Sequence, residues 1–284
     1  MTASPVATSA EPRSKGLLTP DDESAPVTIA RRRPGDDAAP WVRHYWLPRW
    51  SLPAGSTLRQ DVLEYPTSNL VIEADEAMLH RAQRGRSTRI LSGTGWAFGV
   101  LLHPGVARGL VGGSLRTAPV SIPLAGPAGL AGLADGAGGL DELISGVRDR
   151  MRAGDDHGAI DVFESWLPAA VPRPDADARL VGEIVEAVED DRGITRVEQL
   201  ADRFGIGVRH LQRLVAGHIG FSPKWLIQRY RLQEAAAALR SGDAPSLAAL
   251  AADLGYSDQA HFGREFKTVI GQTPGAYLAS VSDA

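Results

Sequence analysis

Leu200-Ala201-Asp202-Arg203-Phe204-Gly205, a short turn, then Val208-Arg209-His210-Leu211-Gln212-Arg213: this stretch has a counterpart further along the chain. The counterpart is Leu250-Ala251-Ala252-Asp253-Leu254-Gly255, a turn one residue longer, then Gln259-Ala260-His261-Phe262-Gly263-Arg264. Each reads as a short helix, a glycine where the chain must turn sharply, and a second amphipathic helix, which is the helix-turn-helix plan. Alanine at 201 and at 251 leaves room for the two helices of each unit to pack closely.

Helical spacing decides which side chains face out. Leu211 and Leu214 share the inner face of the first unit's second helix, so Arg209, Gln212 and Arg213 project outward together. Phe262 and Phe266 do the same for the second unit, leaving Gln259, Ala260, Gly263 and Arg264 outward. Arginine pairs with guanine O6 and N7, and glutamine with adenine N6 and N7, in the major groove. The expected DNA-reading residues are therefore Arg209, Gln212, Arg213, Gln259, Ala260 and Arg264. The net charge of −4 does not suit a non-specific nucleic-acid coat. Between Arg203 and Arg240, however, Arg203, Arg209, Arg213, Lys224, Arg229, Arg231 and Arg240 face only Glu234, a local surplus suited to phosphate. The competing reading is a helical bundle with merely solvated arginines; two matched units weigh against it.

Capping signals extend the helical reading over 177–284. Leu180, Val181, Ile184, Val185 and Val188 form one apolar face. Thr195 with Glu198 suggests a capping box opening Val197–Phe204. Ser222-Pro223 opens a long helix to Arg240, closed by Gly242. Ser246 caps Leu247–Leu254, Asp258 caps the stretch to Ile270, and Thr273-Pro274 opens a last short helix through Tyr277. The expectation is an all-α domain of seven helices.

Upstream the pattern changes. Residues 1–39 are rich in Pro, Ala, Ser and charge, including Arg31-Arg32-Arg33, and read as a disordered or extended tail. In 40–170, short apolar runs such as Asn69-Leu70-Val71-Ile72 and Gly99-Val100-Leu101-Leu102 are punctuated by Gly, Pro and Ser, as in a β-sandwich or barrel. Helical spacing at Leu140, Leu143, Ile144 and Val147 adds flanking helices. Val171-Pro172-Arg173-Pro174 lies in a linker at 171–176. The fold class expected is α+β in two domains.

The 284 residues include no cysteine, which excludes disulfides, thiolate zinc sites and cysteine nucleophiles. No apolar run reaches the roughly 20 residues of a membrane span, and the first residues lack the apolar core of a secretory signal, so a cytoplasmic location is expected. His44, His80 and His103 are too scattered for a metal site. No phosphate loop or nucleophile elbow occurs; no metal, cofactor or enzymatic activity is expected.

These residues resemble the AraC/XylS family of bacterial regulators over roughly 178–280. The match includes Gly220-x-Ser222-Pro223-x-Trp225-Leu226, Arg231-Leu232-x-x-Ala235, Leu250–Ser257, Phe262-x-Arg264-x-Phe266-Lys267 and Gly271-x-Thr273-Pro274-x-x-Tyr277. The resemblance implies that one monomer places two recognition helices in successive major grooves, about 34 Å apart. Gly207, Val215-Ala216, Gly263 and Leu278 depart from the family pattern, with consequences for affinity rather than fold. Less specifically, Trp41, Tyr45-Trp46, Trp50, Tyr65–Leu70 and Gly99–Gly105 resemble the cupin-like domains attached to some members. Such domains bind an effector, dimerise, or both. Trp46, Tyr65 and Trp96 are the candidate ligand-binding residues, with Glu64 or Arg43 as a polar anchor, although aromatics in such a domain also serve as core. The partners implied are double-stranded operator DNA, a small-molecule effector, a second copy in a homodimer, and RNA polymerase. The alternatives are a first domain that only dimerises, or an enzyme tethered to DNA.

Overall fold

A computed structural model describes residues 26–62, 65–126, 129–133, 139–241 and 246–282. Among these, eight strands and three helices precede a run of seven helices. The strands are β1 (Val27–Arg32), β2 (Val42–Ser51), β3 (Thr57–Val62), β4 (Asn69–Glu73), β5 (Ala77–His80), β6 (Ser87–Ser92), β7 (Thr94–Leu102) and β8 (Ser121–Pro123). They form a six-stranded antiparallel sheet, in the order β1-β2-β7-β4-β5-β8, and a two-stranded β3-β6 sheet. Helix α1 (Val106–Val111) follows β7; α2 (Leu140–Arg152) and α3 (Asp156–Ala170) follow β8.

Alternation along the central strands assigns their two faces. Tyr45 and Leu47 of β2, Leu70 and Ile72 of β4, and Phe98, Val100 and Leu102 of β7 all enter one buried cluster. Leu143, Val147 and Met151 of α2 and Phe163 and Leu167 of α3 complete it, so the helix pair covers that face of the sheet. Tyr45, Phe98 and Phe163 meet with ring centroids 5.8–6.0 Å apart. Arg49 fastens the layer at its margin, reaching Asp156 at 2.6 Å and the Met151 carbonyl at 3.0 Å. The α+β, two-domain expectation holds.

The tail reading fails at its end. Val27–Arg32 is the edge strand of the large sheet, with Arg31 opposite Trp46 and Arg32 opposite Tyr45. An edge strand draws its energy from backbone pairing with one neighbour, and arginine-rich composition hides it. Residues 1–25 lie outside the described residues. The 171–176 segment is tied down: Val171 is buried in the first cluster, and Trp41 Nε1 donates to the Pro172 carbonyl at 2.9 Å.

The seven C-terminal helices are α4 (Ala176–Asp190), α5 (Val197–Arg203), α6 (Val208–Ile219), α7 (Pro223–Ser241), α8 (Leu247–Asp253), α9 (Gln259–Ile270) and α10 (Pro274–Ser282). Most caps fall where expected. Ser222 Oγ accepts from the Trp225 N–H, Ser246 Oγ from Ala249, Asp258 from His261 and Thr273 Oγ1 from Ala276. The α5 cap differs: Arg196 stands at the N-cap, and Gln199 rather than Glu198 reaches back, accepting from the Thr195 and Arg196 N–H groups. The last helix runs past Tyr277 to Ser282, and Gly242 lies outside the described residues.

Two separate cores result. Val181, Ile184, Val188, Leu200, Leu211, Leu214 and Val215 pack with Trp225, Leu226 and Tyr230 from the first half of α7. Leu250, Phe262, Phe266, Ile270 and Tyr277 pack with Leu232, Ala235, Ala236 and Leu239 from its second half. One 19-residue helix, about 28 Å long at 1.5 Å per residue, thus serves as a wall of both units. Residues apolar on every side of α7 follow from this double duty.

Candidate nucleic-acid interface

The two units turn with the same hydrogen-bond geometry. In the first, the Gly205 N–H reaches the Asp202 carbonyl at 3.1 Å, and Ile206 N–H reaches Ala201 at 3.1 Å. In the second, Gly255 reaches Ala252 and Tyr256 reaches Ala251, both at 2.9 Å. Gly205 and Gly255 have φ of 62° and 79°, the left-handed region that penalises any side chain. Ala201 and Ala251 are both buried at the crossing. A repeated sequence pattern has become a repeated backbone.

The turns present α6 and α9 with their inner residues buried: Leu211, Leu214 and Val215 on one, Phe262, Phe266 and Ile270 on the other. Arg209, Gln212 and Arg213 are exposed together on α6, and Gln259, Ala260 and Arg264 on α9. All six residues expected from spacing therefore lie outward. Arg213 Nη2 lies 3.0 Å from His210 Nδ1, which braces the guanidinium along the helix. His261 packs edge-on to Tyr256 and lies 3.5 Å from Glu265. A Cβ on Gly263 would meet nothing within 4 Å, so packing does not demand glycine there. Asp258, at the α9 N-cap, accepts from His261 N–H at 2.7 Å, and that bond holds its carboxyl below the ordinary carboxylate range. Gly207 caps α6 with extended backbone and no side-chain acceptor.

Two of the arginines expected to neutralise phosphate do not reach the surface. Arg229 and Arg231 are 1% and 2% exposed. Arg231 joins α7 to the end of α4, donating to the Val188 and Asp191 carbonyls and pairing with Glu234. The linear charge count misled because α7 is enclosed between two cores, where a guanidinium persists only with partners. Arg203 pairs with Asp191 at 2.8 Å, and Arg240 Nη2 donates to the Tyr277 hydroxyl at 2.7 Å. Lys267 is an exposed cation one turn beyond Arg264, absent from the residues picked by spacing; its i, i+3 relation to Arg264 was the available signal. A cleft between the units, lined by Thr195, Arg196, Lys224, Gln228, Tyr256 and His261, was not foreseeable, because α7 brings its two sides together.

The three candidate ligand aromatics do not converge. Trp46 pairs with Gly99 and lies over it, with its Nε1 donating to Asn69 Oδ1 at 3.2 Å. Trp96, three residues before Gly99, points to the opposite face and packs on the sheet–helix core. Tyr65 sits where the domains meet: Arg43 lies 5.3 Å from its ring centroid, and that arginine bonds Glu189 of α4 at 2.8 Å. Tyr230 donates to the same Glu189 carboxylate at 3.2 Å. Arg43 is thus a domain-joining residue rather than a ligand anchor. His44, beside Tyr65, is buried, and desolvation together with Arg43, Arg31 and His103 lowers its pKa to about 4. Glu64 lies outside the described residues.

The described arrangement defines a class: a β-rich domain joined to a twin helix-turn-helix domain. Residues 200–280 match the family described as helix-turn-helix domain, and residues 30–118 match a domain of unknown function, DUF6597. The match at 200–280 covers both helix-turn-helix units and the long helix between them. An uncharacterised HTH-type transcriptional regulator of Haemophilus influenzae is 32% identical over 106 residues, covering 37% of this chain and 35% of that protein. The HTH-type transcriptional activator RhaS of Pectobacterium carotovorum is 37% identical over 75 residues, 26% of each chain. The matched part thus spans about a third or less of these relatives. Among solved structures, a probable AraC family transcriptional regulator from Rhodopseudomonas palustris is 28% identical, with TM-score 0.33, covering 36% of this chain and 97% of that one. ToxT from Vibrio cholerae, bound to (E)-4-(8-methylnaphthalen-1-yl)but-3-enoic acid, is 12% identical, with TM-score 0.39, over 90% and 98%.

Proposed function

We propose that this protein is a sequence-specific DNA-binding transcription regulator that reads two successive major-groove segments with α6 and α9. The observation that carries the reading is the pair of equivalent turns, each followed by a helix exposing arginine and glutamine. Arg209, Gln212, Arg213, Gln259 and Arg264 carry side chains suited to base edges or phosphates, and Ala260 suits a thymine methyl. The first domain responds to a small apolar or ring-bearing effector, with Trp46 and Tyr65 as the retained ligand candidates. Effector binding shifts the domain pair between states of different DNA affinity. A homodimer acting in the cytoplasm on promoter DNA, within reach of RNA polymerase, completes the reading.

The test is selection of bound duplexes from a random library by the full-length protein at a fixed, stated salt concentration. Enrichment of a motif in two blocks about one helical turn apart is the expected result. Failure to enrich any motif, together with a salt-independent affinity, would overturn the reading.

A further inference from the structure

The loop joining β5 to β6 reaches across to both helix-turn-helix units. Ala82 is buried in the core of the first unit. The Arg84 guanidinium lies over the Phe221 ring, 5.1 Å from its centroid, and Phe221 stacks on Trp225 at 4.1 Å. Two further arginines of the loop stand at the C-terminal ends of the two recognition helices. Gly220 is the C-cap of α6, and a Cβ there would come within 3.1 Å of Arg81 Nη1. Gly271 is the C-cap of α9, and a Cβ there would come within 2.6 Å of the Arg86 guanidinium. Between them Gly85, at φ 78°, lies so close to the second unit that a Cβ would be 3.1 Å from the Thr268 carbonyl.

The chemistry suits the place. A helix C-terminus carries partial negative charge and unsatisfied carbonyls, so a guanidinium there is favoured. One short loop therefore lies against two helix ends that belong to separate hydrophobic cores. Among the described residues, the other links between the units run along α7 and through the approach of Thr195 to Gly255, where a Cβ would lie 3.7 Å from the Thr195 side chain. Arg81 is itself held to the first domain, with its Nε donating to the Pro119 carbonyl at 3.2 Å and its N–H to Val120 at 3.0 Å.

We propose that Arg81 and Arg86 are positioning residues that set the separation of the two recognition helices, and so the spacing of the two DNA blocks the protein accepts. This rests on the reading of α6 and α9 as DNA readers, but its first test needs no DNA. The chain contains no cysteine, so spin labels on Gln212→Cys and Ala260→Cys report the distance between α6 and α9 directly. A single narrow distance distribution is expected, broadening when Arg81→Ala and Arg86→Ala are introduced together, with unchanged helix content by circular dichroism. An unchanged distribution overturns the clamp and leaves the DNA reading standing.

The second arm uses unlabelled full-length protein on duplexes carrying the selected blocks with one base pair added or removed between them. One base pair shifts a block by about 3.4 Å along the axis. The unaltered protein should lose about tenfold in affinity on such duplexes, while the double variant should bind all spacings within about threefold of each other. Equal spacing selectivity in both proteins overturns the proposal; absence of any two-block binding in the unaltered protein removes the DNA reading and the clamp with it.

Discussion

Phe262→Ala tests whether the two helix-turn-helix units are energetically separate. Phe262 is fully buried, with ring centroids 5.4 Å from Tyr256 and 5.5 Å from Phe266. Its cluster holds ten buried residues, none shared with the first unit's core. A buried phenylalanine covers about 150–250 Å² of surface, worth roughly 4–6 kcal/mol at 25 cal/mol per Å²; measured truncations to alanine cost about 3–5 kcal/mol. A small unit's local stability is of the same order. Amide hydrogen exchange by mass spectrometry should then show protection in α8 and α9 falling by about a hundredfold to several thousandfold. Protection in α5 and α6 should change by less than about tenfold, because their core keeps every contact. Library selection with the variant should recover the α6 block alone. Equal loss of protection in both units would refute the reasoning, since it would mean that α7 and the first domain couple the two cores into one cooperative body.

Arg213→Ala and Arg264→Ala should each cost about 1–3 kcal/mol of specific binding and relax preference at one base position, measured by competition with single-base variants. Lys267→Ala, by contrast, should weaken binding evenly across sequences and reduce the salt slope by about one, as for a lost phosphate contact. His44 is buried neutral with its pKa lowered to about 4. The unfolded chain binds a proton there from about pH 6.5 downward and the folded chain does not, so stability falls as pH drops from 6.5 towards 4. Denaturant midpoints at pH 7 and pH 5 should differ for the unaltered protein by more than for His44→Gln; identical differences would remove His44 from the account.

Much of the proposed DNA-facing surface was legible because it depends on local rules. Period 3.6 places Leu211 and Leu214 inward and Arg209, Gln212 and Arg213 outward regardless of what lies beneath. The capping residues Ser222, Ser246, Asp258 and Thr273 act within three residues of themselves. Gly205 and Gly255 announce their turns because other residues pay steric strain at positive φ.

What the sequence could not settle depends on groups that meet only after folding. Arg229 and Arg231 read as surface charge, yet α7 lies between two cores and buries them. Trp46 and Trp96 read as candidates for one ligand site or for core, yet strand alternation sends them to opposite faces of the sheet. Val27–Arg32 reads as tail, yet β2 supplies an edge to pair with. The sequence by itself determined the twin helical units and the side chains they expose, since both are set by contacts a few residues apart. Only the tertiary structure decided which charges are buried and how the Arg81–Arg86 loop bridges the two units, because desolvation and docking depend on surfaces distant in the chain.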